Sequence, residues 1–125
     1  MPSVCLYFQV HQPRRLKRYS FSNISHDHSY EDKEKNRQIL NKIAEKCYLP
    51  TNAILLDLLK EHQGDFRISF SLTGVFLDQL VEHRPDVLDS FKRLADTGCV
   101  EILGETYYHS LAFLFSPREF REQVK

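Results

Sequence analysis

His11 is the first side chain in the sequence that could take part in chemistry. It ends an apolar segment and is followed directly by Gln12 and Pro13. Proline restricts the residue before it to extended geometry, so the chain leaves His11 along a stiff path. An imidazole at the end of a strand can exchange a proton or a hydrogen bond near neutral pH. A structural or surface histidine would give the same pattern, and both alternatives stay open.

Glu101 is the second such side chain, because it interrupts an apolar segment. It stands between Val100 and Ile102. Burying an unpaired carboxylate costs several kcal/mol. A glutamate in this position therefore predicts either a structural ion pair or a residue that faces a polar cavity. The sequence favours neither alternative over the other.

Two clusters of histidine with acidic or aromatic residues complete the set. His26, Asp27 and His28 lie in a polar segment, where extended geometry would point both imidazoles the same way, as in a metal site. No third ligand follows at a recognised spacing, so we expect a solvated loop and no metal. Tyr107, Tyr108 and His109 follow the third predicted strand. Aromatic and imidazole side chains there suit stacking on a sugar, although packing is an equal alternative.

Hydrophobic periodicity predicts the elements that position these residues. Alternating or apolar runs predict three strands at 4–11, 66–72 and 99–103, and 13–32 is predicted to be a long loop. Helical spacing predicts helices over 31–46, from an N-cap at Thr51 to a cap at Gly64, over 74–82, from Pro85 to Gly98, and from Ser116 to Lys125. In the first helix the predicted apolar stripe is Leu40, Ile43, Ala44 and Cys47.

The alternation of strands and helices indicates an α/β fold with parallel strands and helical crossovers. Each strand has an apolar face and a mixed face, which favours a barrel over an open sheet covered on both sides. His11 and Thr73 fall at the carboxyl ends of strands, where (β/α) barrels place their sites. A complete small three-layer domain and an antiparallel sheet with one wet face are the alternatives.

Composition excludes several classes of protein. Hydrophobic residues make up 42% and charged residues 27%, which rules out wholesale disorder. Lys plus Arg and Asp plus Glu both number 17, so charge gives no reason to expect nucleic acid or an anionic membrane as partner. No apolar run approaches the roughly 20 residues of a membrane helix. The scattered cysteines (Cys5, Cys47 and Cys99) predict buried or half-buried thiols in a reducing cytoplasm.

Three segments resemble conserved regions of glycoside hydrolase family 57. LYFQVHQPRRL (residues 6–16) contains the HQP tripeptide typical of the family's first region. GCVEILGETYYHSL (residues 98–111) is similar to the second region, with its glycine, strand and glutamate, and is most like the α-amylase-like members. FSLTGVFLDQL (residues 70–80) lies between them and also resembles the family. The three occur in the family's order and are spread over most of the chain, from residue 6 to residue 111.

The resemblance implies an α/β fold, with residues 1–125 as the first three βα units of an incomplete (β/α)7 catalytic barrel. It implies a retaining glycoside hydrolase or 4-α-glucanotransferase that acts on α-1,4-glucans without a cofactor. Its nucleophile Glu and acid/base Asp are expected beyond Lys125, so no catalytic residue is assigned here. By the same resemblance His11 and Glu101 bind substrate, and Gln12, Glu105 and His109 are weaker candidates.

Two expectations follow from a barrel that stops before its nucleophile strand. The chain by itself should have no glycosidase activity, and its bare sheet edge should make it associate or precipitate. Two alternative functions stay open. One is a metal-dependent polysaccharide deacetylase-like barrel, for which His26, Asp27 and His28 are the candidate ligands. The other is a non-catalytic carbohydrate-binding module.

Overall fold

A parallel three-stranded sheet forms the centre of the molecule. The computed structural model describes residues 4–62 and 64–124. The strands β1 (Tyr7–Val10), β2 (Ile68–Leu72) and β3 (Val100–Leu103) lie in the order β1-β2-β3. Tyr7 pairs with Ser69, and Ser69 pairs with Glu101. This pairing confirms the predicted α/β fold with parallel strands and shows that the antiparallel alternative is wrong.

Helices connect and follow these strands. Within the described ranges the α-helices are α1 (Lys33–Ile43), α2 (Leu49–Glu61), α3 (Gly74–His83), α4 (Pro85–Ala95) and α5 (Pro117–Val124). Short 3₁₀ turns lie at Phe21–Asn23 and Ala112–Leu114. Two predicted helix starts are confirmed: Pro85 is the first residue of α4, and the Glu119 N–H donates to Ser116 Oγ at 3.2 Å. The predicted helix end at Lys125 lies outside the described residues.

The prediction of a separate helix beginning at Thr51 is wrong. A π-helical turn, Ala44–Tyr48, joins α1 to α2 without a break. In a regular α-helix the ring of Pro50 would collide with the carbonyl four residues earlier. The wider turn just before it relieves that collision, and the Leu49 N–H donates to the Ala44 carbonyl instead. Proline therefore changes the helix locally rather than ending it.

The π turn also changes which side chains face the core. One extra residue rotates everything after it by about 100° around the helix axis. Leu40 and Ala44 are buried as predicted, but Cys47 is exposed and Tyr48 takes the core position. Cys5 is exposed as well, so the prediction of buried or half-buried thiols holds only for Cys99.

The hydrophobic core lies between one face of the sheet and helices α1 to α4. Phe76 of α3 is fully buried, and its ring lies 5.2 Å from Tyr48 and 6.0 Å from Phe91, measured between ring centroids. The sheet contributes Val10, Ile68 and Phe70 to this core. Among the described residues no helix has both the length and the apolar character needed to cross a bilayer.

The other face of the sheet is polar and open. Tyr7, Gln9 and Glu101 are exposed on it, as the alternation in the sequence predicts. Ser71 is the exception, because it is buried beneath Tyr7 and hydrogen-bonds the Tyr7 hydroxyl at 2.7 Å. A barrel would turn this face toward its interior.

Candidate functional site

Polar side chains meet at the carboxyl end of the sheet. His11 Nδ1 lies 3.0 Å from Thr73 Oγ1, which confirms that these two strand ends lie side by side. The His109 ring lies 5.3 Å from the His11 ring between centroids, and its Nδ1 lies 2.9 Å from Gln9 Nε2. Three distant stretches of sequence therefore contribute to one cluster. We call Gln9, His11, Thr73, Glu105 and His109 the carboxyl-end cluster.

Glu105 is the most unusual member of the carboxyl-end cluster. Its side chain is 11% exposed, and both carboxylate oxygens are buried without a hydrogen-bond partner among the described residues. His109 Nδ1 lies 3.2 Å from Oε1, close enough for an ion pair but outside hydrogen-bond geometry. Buried polar groups are nearly always hydrogen-bonded, since leaving them dry is costly. This carboxylate is therefore placed to receive donors from another molecule or another chain segment.

Tyr107 holds this part of the cluster against α3. Its carbonyl accepts the Val75 N–H at 3.1 Å, and its hydroxyl donates to Asp78. That hydrogen bond is the main reason that the pKa of Tyr107 rises to about 12. A Cβ on Gly74 would overlap the Tyr107 ring, so the close approach requires glycine there. These contacts, which we call the Tyr107 clamp, fix the segment that carries Glu105 and His109.

The backbone at His109 is held in an uncommon conformation. Its φ is +54°, in the left-handed region that few residues other than glycine adopt. The His109 N–H donates to the Thr106 carbonyl at 3.1 Å, and the Ser110 N–H donates to Thr106 Oγ1 at 2.9 Å. The turn thus aims the imidazole at the carboxyl-end cluster at some cost in backbone strain.

The electrostatic environment favours a neutral His11. Partial burial is the main reason that its pKa lies below 6.5, and the nearby His109 lowers it further. Glu105 acts in the opposite direction and raises the pKa of His11. A neutral imidazole offers one donor and one acceptor. Nδ1 is already engaged by Thr73, so Nε2 is the atom that can meet a ligand.

A groove of about 340 Å³ opens beside the carboxyl-end cluster. His11, Val75 and Tyr108 form part of its wall, and Tyr108 is 56% exposed. The predicted long loop also contributes Arg14 and Glu31 to the wall, and these two residues form an ion pair with 3.3 Å between Nη1 and Oε2. An exposed aromatic ring beside hydrogen-bonding groups is suited to binding a sugar.

Glu101 does not join the carboxyl-end cluster. It pairs in register with Ser69 of β2. Ser69 lies four residues before Thr73, so Glu101 is about 13 Å from the carboxyl end of the sheet, measured along the strand direction. It lines a different groove of about 760 Å³, which also includes Arg67. Its side chain is exposed and has no hydrogen bond or ion pair within the described residues. The structural ion pair considered from the sequence is therefore not observed.

Gln12 is also separate from the groove. It is 9% exposed and donates to the Tyr48 hydroxyl at 3.1 Å, while its carbonyl accepts from Gln79 Nε2 at 2.7 Å. The side chain next to His11 thus packs into the core and supports the strand exit from behind. Sequence reasoning missed Gln9 as a site residue. The signal was present, because alternation places Gln9 and His11 on one face.

The cluster His26–Asp27–His28 has an ordinary structural role. The Asp27 carboxylate pairs with Lys17 Nζ and accepts the Ser29 N–H at 2.8 Å. The hydrogen bond from Lys17 is the main reason that the pKa of Asp27 is lowered. Across residues 4–62 and 64–124 no three histidine, cysteine or acidic side chains are grouped to hold a metal ion.

Comparison with known proteins points to one family. The family described as Glycosyl hydrolase family 57 matches residues 5–125. A Methanocaldococcus jannaschii protein named "Putative alpha-amylase" is 44% identical over 94% of this chain, which spans 25% of that protein. A Pyrococcus abyssi "Alpha-amylase" is 26% identical over 69% of the chain and 12% of its own length. A Pyrococcus horikoshii "Alpha-amylase" is 24% identical over 100% of the chain and 16% of its own length. No solved structure matches the chain.

Proposed function

Because the chain belongs to glycosyl hydrolase family 57, we propose that it is part of an enzyme acting on α-1,4-glucans such as starch, glycogen and maltooligosaccharides. The reaction is retaining hydrolysis or 4-α-glucan transfer. The family match over residues 5–125 is the observation that carries this proposal. The names of the three relatives and the sugar-compatible groove support the choice of substrate.

Residues 1–125 are the N-terminal part of the catalytic barrel in this proposal, contributing three βα units of a (β/α)7 barrel. The parallel sheet supports this, as does the open edge at β3, where Ile102 and Leu103 are exposed. The chain spans about a quarter of the length of the M. jannaschii relative. The nucleophile Glu and the acid/base Asp come from segments beyond Lys125.

Retaining enzymes use two carboxyl groups about 5–5.5 Å apart, one as nucleophile and one as acid/base. We assign neither role to Glu101 or Glu105. Instead, His11 and His109 bind sugar hydroxyls, and the unpartnered oxygens of Glu105 accept hydrogen bonds from them. Hydrogen bonds made by such groups are most useful when they strengthen in the transition state. Glu101 contacts substrate further along the polar face of the sheet, away from the carboxyl-end cluster. Gln12 packs in the core and supports His11 from there.

The test uses the full-length protein that contains this chain, with maltoheptaose as substrate. We expect release of reducing sugar or a change in chain length, with the anomeric configuration retained in proton NMR of the first products. The variant His11→Ala should lower kcat/KM by about 100-fold, the typical effect of losing one transition-state hydrogen bond. His62→Ala is the matched control, because His62 is exposed at the end of α2 and remote from the cluster.

Two results would contradict the proposal. One is the absence of both binding and turnover of any α-glucan. The other is stoichiometric bound zinc with deacetylation of an acetylated polysaccharide, which would support the deacetylase alternative instead. The 125-residue chain by itself should release no reducing sugar, because it holds neither catalytic carboxylate.

A further inference from the structure

We propose that Gln9 is a positioning residue that sets the tautomer of His109. Its side-chain amide keeps Nδ1 of His109 unprotonated and leaves the proton on Nε2. The Nε2–H and the Glu105 carboxylate then form a donor and an acceptor for adjacent hydroxyl groups of a sugar. The sugar part of this inference rests on the proposed function, whereas the tautomer rests on the cluster alone.

Two neighbours compete for Nδ1 of His109. Gln9 Nε2 lies 2.9 Å away in hydrogen-bond geometry, and Glu105 Oε1 lies 3.2 Å away outside it. An amide nitrogen can only donate, so it requires an unprotonated Nδ1. A carboxylate can only accept, so it would require a proton on the same atom. The shorter and better aligned contact assigns Nδ1 the role of acceptor from Gln9.

This choice explains why the Glu105 carboxylate has no hydrogen-bond partner among the described residues. With Nδ1 occupied by Gln9, neither buried oxygen of Glu105 receives a hydrogen bond from the described residues. A buried carboxylate in this state gains from any donor that reaches it. Two hydroxyls of one sugar ring are such donors, and Nε2–H of His109 supplies the complementary donor. The His109 side chain is 48% exposed, so a ligand can approach it.

The surrounding structure keeps both partners in place. Gln9 belongs to β1 and pairs in register with Ser71 of the central strand. His109 is fixed by its tight turn after Thr106. The tautomer is thus set by two backbone segments that the sheet and the turn hold independently. Positioning of an imidazole by a neighbouring side chain is a common way to fix which nitrogen carries the proton.

The test reads the tautomer directly in long-range proton–nitrogen NMR spectra of the histidine-labelled full-length protein that contains this chain, at about pH 8, above the ordinary imidazole pKa. We expect Nε2–H for His109 in the wild type. Gln9→Glu replaces the donor by an acceptor and should move the proton to Nδ1. Gln9→Met removes the donor, so that Glu105 captures the proton on Nδ1. Gln38→Glu is the matched control on α1, where the Gln38 amide contacts Glu34.

The outcomes separate this inference from the proposed function. An Nδ1–H tautomer in the wild type, or Nε2–H retained in both Gln9 variants, overturns the positioning role. In the full-length protein, maltotetraose affinity should fall at least about tenfold in the Gln9 variants and stay unchanged in Gln38→Glu. Unchanged affinity despite a shifted tautomer overturns the link to sugar. Failure of the wild-type protein to bind maltotetraose contradicts the proposed function and leaves the tautomer result standing.

Discussion

Two regions of this chain differ sharply in how they are held together. From residue 4 to Leu94 the described chain has a continuous core, whereas none of the described residues from Ala95 to Val124 is buried as a whole, although the two carboxylate oxygens of Glu105 are. The contrast is clearest between neighbouring strands. Three of the five residues of β2 are buried, but none of the four residues of β3 is. Both strands are rich in apolar residues, so the layers packed on a strand, not its composition, decide its burial.

The candidate site spans this division. Gln9, His11 and Thr73 belong to the region with the core, whereas Glu105 and His109 belong to the other. Pairing of β2 with β3 and the Tyr107 clamp connect the two regions. The geometry of the carboxyl-end cluster therefore depends on these contacts between the two regions as well as on the core.

The largest expected effect comes from a core substitution. Phe76→Ala removes a fully buried ring that packs on Tyr48 and Phe91, and should lower the free energy of unfolding by about 3–5 kcal/mol. Phe115→Ala is the matched change in the other region, where the ring is 85% exposed, and should cost less than about 0.5 kcal/mol. Urea denaturation followed by circular dichroism measures both. Similar losses in the two variants would remove the contrast between the regions.

Gly74→Ala should weaken the connection between the regions. The new Cβ would overlap the Tyr107 ring, and displacing that ring should cost about 1–3 kcal/mol despite the better helix propensity of alanine. Gly104→Ala is the control, since a Cβ there meets nothing within 4 Å. Urea denaturation is again the measurement. In a protein that already carries Tyr107→Ala, the change Gly74→Ala should no longer lower the free energy of unfolding. A loss that persists there would mean that a contact other than the Tyr107 ring causes it.

Tyr107→Phe tests the hydrogen bond to Asp78. Because the folded-state pKa of Tyr107 is raised from 10 to about 12, its contribution is complete below pH 10 and is lost as the pH rises toward 12. The Tyr107 side chain is only half-buried, so after solvent screening we expect only about 1 kcal/mol. Absorbance at the tyrosinate band should show a tyrosine that titrates near pH 12 in the wild type. That late titration should be missing in the variant, and its survival would assign it to another tyrosine.

The smallest expected effect concerns the pKa of His11. Because its folded-state pKa is lowered, the associated stability is present above pH 6.5 and is lost as the pH falls through the folded-state pKa. Glu105→Gln should lower the pKa of His11 further, and His109→Ala should raise it, because the two charges act in opposite directions. Titration of the His11 ring protons by NMR measures both shifts. Equal pKa values of His11 in the wild type and both variants would mean that neither Glu105 nor His109 acts on the His11 imidazole.

Much of the fold was predictable from local patterns. Alternation in 66–72 predicted the strand β2 and also that Ile68 and Phe70 face the core, because a pleated strand points successive side chains to opposite faces. Pro85 and Ser116 marked helix starts for reasons confined to one turn of helix. The π turn was not predictable in this way. Thr51 has the features of an N-cap, but its use depends on how the chain accommodates Pro50, and Cys47 lost its core position as a consequence.

The candidate site was predictable only in part. The resemblance of two segments identified His11 and Glu101, and the histidine does lie in a polar cluster. Glu101 and Gln12 do not, because register and core packing set their neighbours. Sequence order hides such facts, since Gln9 and His109 are separated by 100 positions.

The sequence by itself determined the α/β alternation, the strand faces, the helix starts at Pro85 and Ser116 and the family to which the chain belongs. Each of these depends on residues close together in the chain, or on motifs read as strings. The tertiary structure decided which carboxylate meets the histidines. It chose Glu105 rather than Glu101, because the parallel register places Glu101 beside Ser69 while the Tyr107 clamp holds the segment after β3 over the strand ends.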